Sequence, residues 1–404
     1  MAVVGSDLTA VAWLLKTRYL DRVDFLFKRK YPWLSRVKRK QRKLSGNVFT
    51  HPVATAESWG VGAGAYTADL PTPGTMKGIV PSWSPRAHRG RVRVYARTMM
   101  ATADDKGAFM RAWASETESM CRAFMVMINL ESLGDGKRAL AYLPAADDAG
   151  TTVNIAGWQG PTNSHMVQPG MKIDVIDADD DSTAIVSGDT VQSVTKNTMV
   201  LEAALVGSGT NDYVVLTGSL GYALDGLRCI VDTADPALAN HGGLDRDLAA
   251  NSLWKAQTLD FDETFTPDLM DELYDSVDEY SDGSVDTIVT RKKIRRLIAR
   301  ELWEQVRYTS LTLEGRWKGL TYDNKPILTD PCCWVDHIFC LDSTKFELMH
   351  VGPTSGAWMS FDGNVAHRVT DKEAYEATFT FHAALACHAP NSQARGYDVK
   401  DPGI

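Results

Sequence analysis

Residues 57–90 read "ESWGVGAGAYTADLPTPGTMKGIVPSWSPRAHRG", followed by "RVRVYARTMM" at 91–100 and "DDKGAFMRAWASETESMCRAFMVMIN" at 104–129. The first part is studded with Gly and Pro, which punctuate regular structure. The second alternates, placing Arg91, Arg93, Tyr95 and Arg97 on one face of a strand and Val92, Val94 and Ala96 on the other. The third predicts a long helix, capped by Asp104 or Asp105. Its apolar residues Phe109, Trp113, Met120, Phe124, Met127 and Ile128 recur at helical spacing. A two-stranded arm cannot bury both of its own faces. A surface excursion with this much Pro, Gly, Trp and Arg is therefore expected to lie on something else, and a second copy of the chain is the expected surface.

At 404 residues the chain exceeds what one core usually organises, so two or three domains are expected. It holds no apolar run of about 18 residues, so no membrane-spanning helix is expected. The start, "MAVVGSDLTAVAWLLKTRYL", has an apolar patch but no basic region ahead of it and no small-residue cleavage site. It predicts a short amphipathic helix and not a signal peptide. The cysteines, Cys121, Cys229, Cys332, Cys333, Cys340 and Cys387, have no C-x-x-C spacing, and the adjacent Cys332 and Cys333 are poorly placed to bridge each other. Buried free thiols in a reducing compartment are expected. Charge is split along the chain. Residues 16–43 hold twelve Lys/Arg against two Asp/Glu, whereas residues 144–290 hold five against twenty-six. Opposite patches on one chain favour association between copies.

Taken in order, residues 1–55 form a basic arm. Phe25, Phe27, Tyr31 and Trp33 are interleaved there with Lys28, Arg29, Lys30, Arg36, Lys38, Arg39, Lys40, Arg42 and Lys43. Such a segment suits nucleic-acid phosphates without sequence preference; a solvated charged face, or an arm bound to an acidic neighbour, fits the same residues. Residues 56–102 are the extended hairpin and 103–143 carry the long helix, closed by "GDG" at 134–136. Residues 144–222 read as a small acidic β-module, with strands in "TTVNIAGW", "MKIDVIDA", "DTVQSVTK", "TMVLEAAL" and "DYVVLTGS". Residues 223–350 read as α/β: a strand in "LRCIVDT", then an acidic helix capped by Thr266 with Leu269, Leu273, Val277 and Tyr280 inward. A strand in "SVDTIVT" precedes a basic helix capped by Thr290, with Ile294, Leu297, Ile298 and Leu302 inward. The outer faces of these two helices could pair between identical domains. Residues 351–404 end in the long strand "AYEATFTFHAALACHA". The class is α+β.

The motifs of known chemistry are missing from the sequence: no nucleophile elbow, phosphate-binding loop or zinc-protease helix occurs. Gly60, Gly62 and Gly64 open the hairpin and not a helix after a buried strand, which argues against a dinucleotide site. The tract Asp177, Asp179, Asp180 and Asp181 resembles the start of a calcium loop, but the twelfth position is Gly188 and not Glu. A solvated turn is expected. Cys333, His337 and Cys340 could supply three metal ligands, with Cys332 beside them but no fourth ligand at zinc-site spacing. No cofactor is expected.

The order of segments resembles the major capsid proteins of tailed bacteriophages, whose fold is shared with encapsulin shells and the herpesvirus capsid floor. The residues that carry the resemblance are "SWSPRAHRGRVRVYARTMMATADDKGAFMRAWASETESM", "LRCIVDTADPALANHGGLDRDLAANSLWKAQTLDF", "TIVTRKKIRRLIAREL" and "GLTYDNKPILTDPCCWVDHIFCLDSTKFEL". It implies a phage major capsid fold. Residues 1–55 would be the arm crossing neighbouring subunits, 56–102 the loop lying over an adjacent subunit, and the helix from Asp104 the spine of a peripheral domain. Residues 223–350 would be the axial domain, 351–404 the return to the peripheral domain, and 144–222 an insertion. Trp59, Trp83, Arg86, Arg89, Arg91, Arg93 and Arg97 would make inter-subunit contacts. The basic residues from Lys28 to Lys43 would face the genome. The implied protein is a structural one that self-assembles through pentamers and hexamers around double-stranded DNA. Its partners would be a separate scaffolding protein (the short arm leaves no room for a fused one), a portal and a decoration protein, with no membrane. It would assemble in a host cytoplasm and reside in the virion. An encapsulin-type compartment is the alternative with the same fold, and a metal-dependent enzyme using Cys333, His337 and Cys340 the alternative of another class.

Overall fold

The computed structural model describes residues 31–43, 46–64, 69–101, 112–144, 150–155, 166–195, 197–209, 211–235, 240–305, 321–352, 357–359 and 365–400. Strands β1 (Lys38–Gln41), β2 (Phe49–Thr50) and β3 (Val53–Ala56) lead to β4 (Lys77–Ile79) and β5 (Ser82–Trp83). β6 (Arg86–Tyr95) runs into helix α1 (Ala96–Ala101), and helix α2 (Ala112–Leu133) follows. Then come β7 (Ala141–Tyr142), β8 (Gly150–Asn154), β9 (Lys172–Ile176), β10 (Ala184–Val194), β11 (Thr198–Leu205) and β12 (Tyr213–Leu216). Next are α3 (Leu227–Ile230), β13 (Gln257–Asp260), α4 (Pro267–Tyr280), β14 (Thr287–Thr290) and α5 (Lys292–Gln305). β15 (Thr321–Tyr322), β16 (Lys325–Thr329), β17 (Ile338–Leu341) and β18 (Phe346–Val351) precede β19 (Ala357–Trp358), β20 (His367–Arg368), β21 (Ala374–Cys387) and β22 (Ala394–Tyr397).

The strands form three six-stranded sheets and two short ribbons. The first sheet is built on β21. Antiparallel β6 pairs with it from Tyr95 opposite Ala374 to Arg86 opposite Ala383, and β18 pairs with its other end. β1 adds to β18 in parallel. Alternation along β6 buries His88, Val92 and Val94 and leaves Arg89 and Arg91 exposed. Helix α2 packs on β6. Its Phe124 meets Phe379 and Phe381 of β21 edge-on, at centroid distances of 5.1 and 6.3 Å.

The second sheet, ordered β7-β12-β9-β10-β11-β8, is antiparallel throughout. The third, β13-β22-β17-β14-β16-β15, is mixed. One face of it, with Val289, Phe339 and Leu341, joins a continuous core with α2 and the other two sheets. The opposite face, with Ile288, Ile338 and Cys340, is covered by Met270, Leu273 and Val277 of α4 and Ile294, Leu297 and Ile298 of α5. Antiparallel and mixed sheets with helices packed on them, without a regular strand–helix–strand alternation, give the α+β class.

Several elements differ from the sequence expectation. The strand expected over 91–100 stops at Tyr95, and Ala96–Ala101 is helical. Its partner β21 begins at Ala374, so the ladder runs out there, and the Ala and Met residues that follow are good helix formers. Arg97 therefore leaves the strand face. "LRCIVDT" is not a strand; it holds α3. Arg246, fully buried, donates to the carbonyls of Cys229, Ile230 and Ala234 at 2.9–3.0 Å and so satisfies that turn's carbonyls. Thr266 caps α4 as expected, accepting from Leu269 N. Thr290 does not cap α5: its hydroxyl is buried and donates to His337 O at 3.0 Å. Tyr280 is exposed and not inward, and in the first turn Met270 is buried while Leu269 is half-buried. Asp104, Asp105 and Phe109 lie outside the described residues, as does the Leu302 side chain.

Two contacts lock α2 to its surroundings. Gly226 must be glycine, because a Cβ there would lie 2.2 Å from Glu131 O and 2.4 Å from Gly134 O. Asp330, fully buried after β16, accepts from Asn129 Nδ2 of α2 at 3.1 Å and from Cys332 N at 2.9 Å. Burial pushes its carboxyl up to about 6, against the pull of the Cys332 and Asn129 bonds. A folded-state value above the unfolded one, about 3.9, means the neutral form is favoured by folding. The contribution of Asp330 to stability is therefore greatest below pH 4, declines between pH 4 and 6, and is lower by about 3 kcal/mol above that. Asp330→Asn keeps the accepting oxygen and removes the charge. Denaturant titrations should find the variant more stable at pH 7.5, with the decline between pH 4 and 6 reduced; equal pH profiles for the two proteins would refute this.

Candidate functional site

β3 and β4 pair antiparallel, with Val53 opposite Ile79, and form the root of a projecting hairpin. The described residues between them are exposed apart from a half-covered Gly60, and they include large apolar side chains: Trp59 is 80% exposed, Leu70 92%, Val61 82% and Met76 71%. Just beyond the root the two arms lie against each other, with Gly74 against Trp59 N; a Cβ there would come within 2.7 Å. Isolated exposed apolar side chains are normal, but several on one two-stranded projection mark an interaction surface.

Trp83, four residues beyond the end of β4, has the opposite fate. It is 2% exposed and packs with Phe49, Trp254, Met349 and Ala386. Its ring lies 5.7 Å from His241 and 5.8 Å from His388. The contact role expected for Trp83 is thus corrected: it anchors the hairpin root to its own chain, and only Trp59 is free to meet another.

The arginines divide too. Glu376 Oε2 on β21 accepts from Arg91 Nε at 3.1 Å, from Arg93 Nε at 3.1 Å and from Arg93 Nη2 at 2.7 Å. Burial alone would raise the Glu376 carboxyl, but the bonds from Arg91 and Arg93 hold it below the usual carboxylate range. These two guanidiniums are therefore partly neutralised within the chain, because β6 belongs to the β21 sheet and not to the projecting hairpin. Glu376 is the one acid in the final strand run, which is the signal that could have found it. Arg86 lines a polar cleft of about 260 Å3 with Ser82, Ser84 and Asn240. Arg89 and Arg97 are exposed.

Of the basic arm, Lys28, Arg29 and Lys30 lie outside the described residues. Arg36, Lys38, Arg39, Lys40 and Lys43 are exposed, three of them on the edge strand β1. Arg42 is withdrawn from this set: it donates to both carboxylate oxygens of Glu347 at 2.7 and 2.8 Å. Phe25 and Phe27 lie outside the described residues as well, and the described aromatic residues of the arm are taken up by the core. Trp33 is fully buried edge-on to Phe346 at 5.1 Å, and Tyr31 packs on the same core.

The residues that could have supplied metal ligands do not converge. Cys333 belongs to the main core, Cys340 faces the α4–α5 core, and His337 Nδ1 bonds Asp336 Oδ1 at 2.7 Å. The acidic tract is a turn, in which Asp177 Oδ1 accepts from Asp179 N at 2.9 Å and Asp181 pairs with Lys137 at 2.6 Å. Among the described residues no group of three or more His, Cys, Asp or Glu is placed to hold a metal ion, and no helix among them is long and apolar enough to cross a membrane.

This arrangement of a long strand ladder, a spine helix, a projecting hairpin and a mixed sheet is the fold of phage capsid and encapsulin shell proteins, which are structural. The capsid protein of Cyanophage A-1(L) superposes with a TM-score of 0.58 at 13% identity, covering 96% of this chain and 98% of that one. The SrpI encapsulin of Synechococcus elongatus PCC 7942 gives 0.50 at 9% identity, covering 98% and 97%. Gordonia phage Cozz gives 0.51 at 8%, covering 99% and 98%. No protein-family model matches the chain, and no curated protein matches it in sequence.

The two tryptophans should separate experimentally. Trp83→Ala should cost the dissociated subunit about 3–5 kcal/mol of unfolding stability, as for a large aromatic removed from a core. Trp59→Ala should change it by less than about 0.5 kcal/mol. Comparable losses in denaturant titration would contradict this assignment.

Proposed function

We propose that the chain is the structural subunit of an icosahedral shell, built from pentamers and hexamers of itself around double-stranded DNA. The observation that carries this reading is the projecting hairpin. It exposes Trp59, Val61, Leu70 and Met76 while its root is fixed to the body through β2, β5 and Trp83. A rigidly mounted apolar projection gains stability when it lies on a neighbour, and in a fold of shell proteins the neighbour is another copy. Residues 1–55 act as the inner arm, 56–102 as the contact loop, 103–143 and 351–404 as the peripheral domain, 223–350 as the axial domain, and 144–222 as an inserted module. Arg86, Arg89 and Arg97 add polar contacts beside the loop. The exposed cations Arg36, Lys38, Arg39, Lys40 and Lys43 favour a polyanionic content, bound without sequence preference. A separate scaffolding protein, a portal and a decoration protein complete this reading, with assembly in a host cytoplasm and the finished particle in the virion.

The second reading, an encapsulin-type compartment around a protein cargo, is supported by the likeness to the SrpI encapsulin over nearly the whole chain. Electron microscopy of the expressed chain, with nuclease-protected DNA measured in purified particles, separates the two. Closed particles that protect DNA in proportion to their inner volume support the capsid reading; closed particles filled with protein support the compartment; a chain that forms neither closed particles nor pentamers and hexamers refutes both. Replacing residues 57–76 by a two-residue Asn-Gly turn should leave a folded subunit, since the root pairing remains. The same chain should yield no closed particles on sedimentation. Full-size shells from this variant would remove the hairpin from the account.

A further inference from the structure

We infer that α4 and α5 form the two halves of a head-to-tail contact between copies of this chain, with the acidic end of α4 from one copy meeting the basic start of α5 from the next. The inference rests on the shell reading and names a surface within it.

Both helices are charged against their own dipoles. α4 ends with Asp275, Asp278 and Glu279 exposed, followed by exposed Asp282, and has no basic residue in its last turn. α5 begins with Lys292 and Lys293 and has no acidic residue in its first turn; Lys292 and Arg296 lie exposed one turn apart. Carboxylates at a helix C-terminus and cations at an N-terminus are each unfavourable in an isolated helix. Asp275 also sits at three- and four-residue spacing from Asp278 and Glu279, where like charges repel. Among the described residues none of these acids, nor Lys292 or Arg296, has an ion pair. An opposite charge from outside the chain relieves both ends.

The fold prevents the two ends from relieving each other. β14 and β22 run the same way, since both are antiparallel to β17. The end of α4 is pinned at the start of β22: Asn391 Nδ2 donates to Tyr280 O at 3.3 Å and Gly283 lies against Ser392. α5 starts where β14 finishes. The acidic and basic ends therefore sit at opposite ends of a strand about 13 Å long, on the same face of the sheet. Complementary patches at opposite poles of one face cannot make a two-fold contact with themselves, but they can join copies in sequence, and such contacts close into rings. A polyanion would meet the α4 acids unfavourably, and a polycation would leave α5 unmatched. A second copy satisfies both.

Charge exchange tests this in the full chain. One variant carries Asp275→Lys, Asp278→Lys and Glu279→Lys; another carries Lys292→Glu and Arg296→Glu; a third carries all five. Sedimentation in about 50 mM salt should show the protein concentration for half-assembly raised at least tenfold in each of the first two and within about threefold of wild type in the third. Thermal unfolding of the dissociated subunits checks that each variant folds. If a reversal variant does not fold, Asp275→Asn, Asp278→Asn and Glu279→Gln replace it, and the weakening of wild-type assembly between 50 and 300 mM salt should be lost. Unchanged assembly in either reversal, no recovery in the combined variant, or salt dependence retained in the neutral one overturns this contact while wild-type particles leave the shell reading standing. A wild-type chain that stays monomeric overturns the shell reading, and this contact with it.

Discussion

At the end of α2 the carboxylate of Glu131 has no solvent contact and must be satisfied by protein groups, because an uncompensated buried charge costs several kcal/mol. His88 Nε2 of β6 lies 2.6 Å from it, Arg138 Nε 2.8 Å from its other oxygen, and Leu224 N donates at 3.0 Å. Those three groups come from the strand ladder, from the approach to the second sheet and from the segment leading into α3. One acid thus requires the β21 ladder, the second sheet and the entry to the third sheet to meet at one point. Gly226 against Glu131 O and Asp330 on Asn129 tighten the same junction from the side of the third sheet. The end of the spine is over-determined, and everything mounted on it inherits that rigidity.

That rigidity gives the hairpin its character. The ladder between β6 and β21 runs for ten paired residues, and Trp83, Phe49 and Trp254 close its far end beneath β2 and β5. The projection therefore starts from a fixed root and still carries apolar side chains in water. At about 25 cal/mol per Å2 of apolar surface, covering those side chains is a favourable term left unused in the single chain. Arg91 and Arg93 lie toward the other end of this ladder, and Glu376 has already taken much of their charge. In the proposed shell, contact strength would come from the hairpin's apolar residues and not from the arginine face.

Periodicity makes some of this legible in the sequence and leaves the rest silent. The α4 cap at Thr266 and the inward Leu273 and Val277 are readable because their partners lie within one turn. The α3 turn reads as a strand because its residues are apolar and β-branched; what makes it helical is Arg246, far along the chain, whose guanidinium meets three carbonyls. Thr290 looks like a cap by position, yet the neighbouring strand offers its hydroxyl a buried carbonyl. Trp59 and Trp83 stand in similar Gly/Pro-rich surroundings and cannot be told apart locally. They differ because Phe49, Met349 and Ala386 converge on only one of them. Arg91 and Arg93 read as free cations for the same reason: Glu376 is distant in sequence. Local signals set which elements exist, and long-range partners set which of their side chains remain available.

Availability is also what gives the charge split its meaning. Exposed ion pairs contribute only about 0–1 kcal/mol each, so a contact between α4 and α5 cannot hold a shell together by itself. Its value lies in direction. An apolar hairpin can slide over a neighbour's surface with little change in free energy, because hydrophobic burial is non-directional. Charges fixed at opposite ends of β14 tolerate one orientation of neighbour and penalise the reverse, where acid would meet acid. In the proposed shell, strength from the hairpin and register from the helix poles are separable, and both are needed. Weak contacts that specify direction let misplaced subunits leave before the apolar surface is covered.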